Sequence, residues 1–193
     1  MGRSRPHVVI VDDERDIADI YAKNLEGSYE TSVAYGGEEA LDVIDDGVDA
    51  VLLDRRMPDM SGDEVLAELR EQGMDCAVIM VTAVDPDLNI LDMGFDDYLS
   101  KPVDEETLES TLERHVDPVA DSERVEEYFS LLSKLEVLEA ELSGAELQES
   151  DEFKRTARRA REMTEQLREE IDDFESLVET YRNIDRSPGD DGR

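Results

Sequence analysis

The chain has 193 residues, enough for one α/β domain and a smaller second module. Its 53 acidic residues against 20 basic ones give a formal net charge of −33, spread along the whole chain. A single cysteine excludes an internal disulfide. The short, polar N-terminus does not fit a signal peptide, and no apolar run is long enough to predict a membrane span. The composition predicts a cytoplasmic protein of a salt-accumulating organism, with an acidic protein of an ordinary cytoplasm as the alternative.

The first 116 residues alternate short apolar runs with amphipathic stretches, which is typical of a parallel sheet with crossover helices. Strands are predicted at His7–Val11, Tyr29–Ala34, Ala50–Leu53, Cys76–Val81 and Tyr98–Leu99. Helices are predicted at about 14–26, 37–46, 61–72, 86–93 and 104–115, and Ser61 with Glu64 predicts a capping box for the third of them. Five βα units predict a flavodoxin-like, doubly wound α/β domain over residues 1–117.

From about residue 121 the apolar residues fall at heptad spacing and the strand pattern ends. One apolar seam runs from Tyr128 to Leu142, and a longer one continues from Phe153 to Tyr181 without a break. The pattern predicts two helices, paired as an antiparallel hairpin or coiled coil, over residues 118–185, and a disordered tail over 186–193. The longer seam has apolar length that the shorter one cannot cover. This surplus predicts either a homodimer or the binding of a helix from a partner protein.

Five side chains with the chemistry of a phosphate site follow the predicted strands. Asp12 and Asp13 follow the first strand, Asp54 the third, Thr82 the fourth and Lys101 the fifth. In an open α/β sheet these carboxyl ends meet at one edge, where ligands bind. Clustered carboxylates favour a divalent cation, and oxygen ligands with room for water suit Mg²⁺. A hydroxyl and an ammonium beside that metal would complete a site for a phosphoryl group.

Four segments resemble the signature segments of response regulator receiver domains. They are Val8–Asp13, Leu52–Gly62, Val81–Ala83 and Asp96–Pro102, in the family's order over about 116 residues. The resemblance implies that Asp54 accepts a phosphoryl group from a sensor histidine kinase in a two-component phosphorelay. It also implies that such a chain is not an enzyme beyond its own phosphoryl transfer and slow dephosphorylation.

The resemblance implies a role for each residue of the metal site. Asp13 and Asp54 would ligate Mg²⁺ directly, Asp12 would act mainly through water, and Arg56 would offer its backbone carbonyl. A phosphatase of the haloacid dehalogenase type also uses an Asp nucleophile on an α/β sheet. The sequence pattern of such enzymes is Asp-x-Asp. The sequence Asp54-Arg55-Arg56 lacks the second carboxylate, so that enzyme class is set aside.

The same resemblance implies a switch. Lys101 would pair with the phosphoryl group and would precede a cis peptide to Pro102, while the Thr82 hydroxyl would move to the phosphoryl group and Tyr98 would rotate inward. One feature departs from the family. Eighteen residues separate Thr82 from Lys101, about a helical turn fewer than expected, and none of them is basic. The fourth helix should therefore be short, and a dimer that needs a basic residue there is not expected.

The C-terminal segment resembles the HalX domain of halophilic archaeal regulators, in Tyr128-Phe129, in Leu138–Leu142 and in the Ser143-Gly144 break. The resemblance implies transcriptional regulation. A basic cluster near the start of the second helix could contact DNA, transcription machinery or an acidic protein, or pair with acidic neighbours; it comprises Lys154, Arg155, Arg158, Arg159 and Arg161. Two hypotheses stay open: a phosphorylation-gated transcriptional regulator, and a signalling adaptor that never touches DNA.

Overall fold

Five parallel strands form the central sheet, in the order β2-β1-β3-β4-β5. The computed structural model describes residues 5–116, 123–171 and 173–182. Each predicted strand is confirmed, with ends that move by at most one residue; the bounds are His7–Val11 (β1), Glu30–Ala34 (β2), Ala50–Leu53 (β3), Ala77–Thr82 (β4) and Asp97–Ser100 (β5). The predicted boundary at 117–118 and the tail 186–193 lie outside the described residues.

Four α-helices and one 3-10 helix connect or follow these strands. Ser61 and Glu64 form the predicted capping box at the start of the third α-helix, since each side chain bonds to the other residue's backbone. The α-helices are Arg15–Leu25 (α1), Gly37–Val43 (α2), Gly62–Glu71 (α3) and Glu105–Val116 (α4). Among the described residues, none of the helices is both long enough and apolar enough for a membrane span.

The predicted α-helix at 86–93 is wrong in type, because this stretch forms a five-residue 3-10 helix, Leu88–Asp92. The physical reason is length. The short connection between β4 and β5 must return along the sheet, and a 3-10 helix rises about 2.0 Å per residue against about 1.5 Å for an α-helix. A connection of this kind also leaves less of the sheet covered than a full α-helix would.

Alternate residues of the strands supply two apolar layers, one on each face of the sheet. Val8 and Ile10 point into the layer that α1 and α4 cover, where Leu25 and Leu108 are fully buried. On the other face, the strands pack against residues of α2, α3 and the 3-10 helix. This second layer also contains residues beyond 123, so the C-terminal helices contribute to the core of the α/β domain.

In the C-terminal part, the described residues 123–171 and 173–182 form four helices in place of the two predicted. They are Glu123–Glu141 (α5), Gly144–Glu149 (α6), Asp151–Glu170 (α7) and Phe174–Arg182 (α8). The predicted break at Ser143-Gly144 and the start at Ser150-Asp151 are confirmed, and α5 and α7 run antiparallel. Arg124 at the start of α5 pairs with Glu170 at the end of α7, at 2.8 Å.

The unbroken second helix is a wrong prediction, because α7 ends at Glu170 and Ile171 is extended. By that point α7 has reached the start of α5, and a straight continuation would have no helix to pack against. The chain instead folds back as α8, and the Tyr181 hydroxyl donates a hydrogen bond to the carbonyl of Phe129 in α5, at 2.7 Å. The surplus apolar length is therefore covered within the chain and no longer argues for a homodimer.

Candidate functional site

The backbone ladder of the sheet extends to the predicted site residues and fixes their positions. The amide of Asp12 donates to the carbonyl of Ala34 at 3.1 Å, and the amide of Asp54 donates to Val11 at 2.9 Å. The amide of Lys101 donates to Thr82 at 2.9 Å. Because these residues directly continue or end paired strands, their side chains emerge together at the carboxyl edge of the sheet.

Lys101 joins two of the predicted carboxylates. Its Nζ lies 2.5 Å from Oδ2 of Asp12 and 2.8 Å from Oδ2 of Asp54. The side chains of Lys101, Asp12 and Asp54 are 7%, 3% and 8% exposed, so water screens these contacts little. Glu14 lies at the rim, 3.7 Å from the ammonium. The site is thus a buried ammonium between two carboxylates, open to solvent on one side.

Burial and hydrogen bonding shift the pKa values of Asp12 and Lys101 in opposite directions. Burial raises the pKa of the Asp12 carboxyl above its usual value, and the hydrogen bonds from Lys101 and from the amide of Glu14 only partly offset this. Burial lowers the pKa of the Lys101 ammonium, but its bonds to Asp12 and Asp54 outweigh that effect and raise the pKa overall. Lys101 is therefore charged throughout the neutral range, and the site depends on its charge.

The three carboxylates fit a divalent cation. Asp12, Asp13 and Asp54 each bring one oxygen within 4.8 Å of the others, and Asp13 is the most solvent-exposed of them. Both oxygens of Asp12 already accept hydrogen bonds, from Lys101 and from the amide of Glu14. A role through water therefore suits Asp12, and direct ligation suits Asp13 and Asp54. Oxygen ligands with open positions for water are the donor set that Mg²⁺ prefers.

The loop after Asp54 orients its carboxylate. The amide of Arg56 donates to Oδ1 of Asp54 at 3.2 Å, while ligation by the Arg56 carbonyl stays a prediction. Gly62 closes this loop by donating to the Arg55 carbonyl at 2.9 Å. A Cβ at Gly62 would lie 2.1 Å from the carbonyl oxygen of Asp54. Gly62 ends the motif Leu52–Gly62, but its close approach to the Asp54 carbonyl was not predicted, although the glycine itself is the signal for it.

The two predicted switch residues hold the same backbone segment. The Thr82 side chain is fully buried, and its Oγ1 accepts a hydrogen bond from the amide of Val84 at 3.2 Å. The Tyr98 ring is also fully buried, and its hydroxyl donates to the carbonyl of Val84 at 2.5 Å. Burial raises the pKa of this phenol to about 12. Tyr98 thus occupies an inward position, and the Lys101–Pro102 peptide bond is cis, as the resemblance implies.

The basic cluster lies apart from this site, on α7. Its five side chains are exposed and lie on the opposite side of the helix from the buried Ala160 and Leu167. Two members have acidic partners: Arg159 pairs with Glu127 of α5, and Lys154 lies 3.4 Å from Asp151. The cluster is therefore a surface feature of the helical module.

Comparison with known proteins identifies both parts of the chain. The model of the response regulator receiver domain matches residues 8–113. The chain belongs to the response regulator receiver family. The model of the HalX domain matches residues 120–184, so the helical module is a HalX domain. We refer to residues 5–116 as the receiver domain and to α5–α8 as the HalX helices.

Individual relatives agree with this assignment. A candidate transcriptional regulator of Haloferax volcanii is 48% identical over 143 residues, which is 74% of this chain and 24% of that protein. The transcriptional regulatory protein CpxR of Escherichia coli is 39% identical over 105 residues, covering 52% of this chain and 45% of CpxR. The chain thus spans about a quarter of the length of the first relative and a little under half of the length of the second.

Solved structures support the fold of the receiver domain. A CheY-like receiver domain protein from Methanospirillum hungatei is 31% identical, with a TM-score of 0.55, and the match covers 59% of this chain and 95% of that one. The covered share corresponds in size to the receiver domain.

Proposed function

We propose that this chain is a two-component response regulator that accepts a phosphoryl group from a sensor histidine kinase on Asp54. The contact of the Lys101 ammonium with both Asp12 and Asp54 is the observation that supports the proposal best. A nucleophilic carboxylate, a buried counter-charge and a cluster of carboxylates for Mg²⁺ are the parts that phosphoryl transfer requires. Membership of the receiver family agrees with this chemistry.

In the proposed transfer, an oxygen of Asp54 attacks phosphorus while the bond from phosphorus to the kinase histidine breaks. An aspartyl phosphate forms, and the imidazole leaves. Mg²⁺ at Asp13 and Asp54 would neutralise charge on the phosphoryl oxygens. Lys101 would exchange one carboxylate contact for a phosphoryl oxygen, and the Arg56 amide would keep Asp54 oriented. The Thr82 hydroxyl would turn to the new group and give up the amide of Val84.

The Asp54 assignment predicts a direct result. With Mg²⁺ and acetyl phosphate, the intact protein should gain one phosphoryl group, and Asp54→Asn should abolish the gain because the amide is not a nucleophile. Mass spectrometry of the intact protein measures this. Asp59→Asn is the matched control, since Asp59 is an exposed carboxylate on the same loop and Asn tolerates its positive φ. An equal gain in Asp54→Asn would show that the acceptor is another residue.

We infer that the output is transcriptional, through the HalX helices acting on DNA or on transcription machinery. The similarity to a candidate transcriptional regulator supports this inference. The exposed basic cluster on α7 is a surface that phosphate groups could contact. A second candidate is a signalling adaptor, in which the same surface binds an acidic protein. Two observations favour it: the net negative charge of the chain opposes DNA binding, and two residues of the basic cluster already form ion pairs with carboxylates.

These outputs differ in their dependence on the basic cluster. Crosslinked genome-wide occupancy of the tagged protein should show discrete sites in the wild type, because DNA phosphates attract the cluster. The sites should fade in Asp54→Asn and when Arg155, Arg158 and Arg159 are changed together to Gln. Arg168→Gln, a change on the same helix outside the cluster, should leave them intact. A flat profile in the wild type would instead support the adaptor.

The remaining inferences follow from chemistry and charge. We propose that the chain has no catalytic activity beyond its own phosphoryl transfer and slow dephosphorylation. We also infer a cytoplasmic protein that works in concentrated salt, because salt shortens the Debye length to about 3 Å at 1 M and screens the repulsion of a net charge of −33. Such salt also weakens contacts between basic side chains and DNA phosphates, so it would weaken direct DNA binding.

A further inference from the structure

The apolar repeat of α7 continues into α8 across the bend between them. The structure bends the chain inside this repeat, since α7 ends at Glu170 and α8 begins at Phe174. The heptad register is nevertheless kept, so the residues on both sides of the bend would lie on one stripe of a straight helix. Their spacing is four, three, four and three residues: Leu167, Ile171, Phe174, Val178 and Tyr181.

The residues at the bend do not themselves require a break. Helices commonly end at a glycine or an asparagine, with a proline soon after, and residues 171–173 contain none of these. A continuous helix would also give helical partners to the last carbonyls of α7 and the first amides of α8. One exposed ion pair across the bend, between Arg168 and Glu175, stabilises the bent form only slightly. The packing of α8 therefore holds the bend.

α8 is held mainly by α5, along which it runs parallel. Near its start, the Phe174 ring lies 5.5 Å from the ring of Tyr128, and at its end Arg182 lies 3.5 Å from Glu136, farther along α5. Because α5 and α7 are antiparallel, α8 is also antiparallel to α7. A helix of nine residues is marginal by itself, so α8 needs these contacts to stay folded.

A second copy of the chain offers the same place to α8. If the bend straightens, α7 and α8 form one helix from Asp151 to Arg182, about 48 Å long at about 1.5 Å per residue. Its α8 part then leaves its own α5 and fits the equivalent place in the second copy. Since that place runs antiparallel to α7, the two long helices lie antiparallel, related by a two-fold axis near the bend. Such an exchange is closed and produces a dimer, not a filament.

The exchange preserves the packing of the monomer. Every contact that α8 makes with α5 and α4 in the bent form is made again with the other chain, so no apolar surface becomes exposed. The backbone at the bend gains helical partners, and the opposing cost is the lost freedom of movement of two chains. Concentrated salt would screen most of the repulsion between two chains that each carry a net charge of −33.

We propose that a second copy of this chain is a partner of the HalX helices, through a domain-swapped dimer in which α7 and α8 are one helix and each α8 packs on the α5 of the other chain. The proposal goes beyond the proposed function and requires no phosphorylation of Asp54. It also differs from the homodimer predicted from the sequence, which used surplus apolar surface, because here that surface is covered in both forms. The dimer joins two receiver domains and two basic clusters in one assembly.

Substitution of Asp173 tests the straightening of the bend, because this residue lies between α7 and α8 and is helical only in the dimer. Asp173→Ala should raise the dimerisation constant by about tenfold, since alanine favours a helix over aspartate and the change occurs in two chains. Asp173→Gly should lower the constant by about threefold for the opposite reason. Sedimentation equilibrium of the full chain in molar KCl measures these constants.

Glu179→Ala is the matched control, because it removes the same charge from an exposed position of α8 that is helical in both forms. It should leave the dimerisation constant unchanged. Equal constants for Asp173→Ala, Asp173→Gly and Glu179→Ala would overturn the proposal. A chain that stays monomeric as Asp173→Ala, at the highest soluble concentration in molar KCl, would overturn it as well.

Crosslinking identifies the chain on which each α8 packs. Glu136→Cys and Arg182→Cys are introduced into separate chains that also carry Cys76→Ala, and the two chains are incubated together and treated with a short bismaleimide. The swapped dimer should give a crosslink between the two chains, because each position 182 lies beside position 136 of the other chain. A single chain with both substitutions is the control and should crosslink within itself as a monomer. A dimer without crosslinks between positions 136 and 182 of different chains would overturn the exchange of α8.

Discussion

Gly62→Ala should lower the free energy of unfolding by about 3 kcal/mol, because the added methyl group has no space. The new Cβ would lie 2.1 Å from the carbonyl oxygen of Asp54 and 3.0 Å from Cα of Arg55, both backbone atoms. The loop must therefore move, and Asp54 must move with it. We expect slower phosphorylation by acetyl phosphate as well as lower stability, because the carboxylate loses its position relative to Lys101.

Denaturant unfolding of the two proteins measures the difference in stability. Gly27→Ala is the matched control, since a Cβ at Gly27 would meet nothing within 4 Å. Its free energy of unfolding should change by less than about 1 kcal/mol. Equal changes in the two variants would contradict the steric argument for Gly62.

Lys101→Met should destabilise the protein by about 3 kcal/mol at neutral pH without divalent cations, because two buried carboxylates lose their counter-charge. Because the pKa of Lys101 is raised in the folded protein, its charged form stabilises the fold. Its stabilisation is fully present below the ordinary value of 10.5 and is lost only as pH rises through the higher folded value. The whole contribution is therefore removed at pH 7. Phosphorylation should also fall strongly, since no ammonium remains to face the phosphoryl oxygens.

Thermal and denaturant unfolding with and without Mg²⁺ measure this effect. Mg²⁺ should restore part of the stability of Lys101→Met, because three carboxylates without an ammonium bind a cation more strongly. Lys23→Met, which removes an exposed lysine from α1, is the control and should change stability little. A loss as small as that of Lys23→Met, or a loss that Mg²⁺ does not reduce, would contradict the role assigned to Lys101.

The strands and the placement of the site could be predicted because local patterns determine them. Apolar runs of four to six residues, punctuated by polar residues, indicate buried strands, and parallel topology then places their carboxyl ends at one edge. Asp12, Asp54 and Lys101 follow from that rule alone. The distances that make them a site, such as 2.5 Å from Lys101 to Asp12, depend on register and rotamer and do not follow from the pattern.

The arrangement of the HalX helices was only partly predictable. Heptad spacing identifies the buried face of a helix, but it does not determine where the helix ends, so the break at Ile171 was missed. It also does not identify the partner of that face. Leu138 fits the predicted seam but packs in the receiver core, and Ser133 lies outside the seam yet is fully buried against Asp97. Such contacts form between distant parts of the chain and leave no local periodicity.

The position of α5 restricts how this protein could be recombined. Residues of the HalX helices complete the receiver's second apolar layer, so a receiver cut after α4 would expose Phe95 and the face of the 3-10 helix. Swapping outputs between regulators would have to carry residues 84–97 together with α5. In a chimera that joined these helices to a receiver with a full-length α-helix between β4 and β5, that helix and α5 would occupy the same part of the sheet surface.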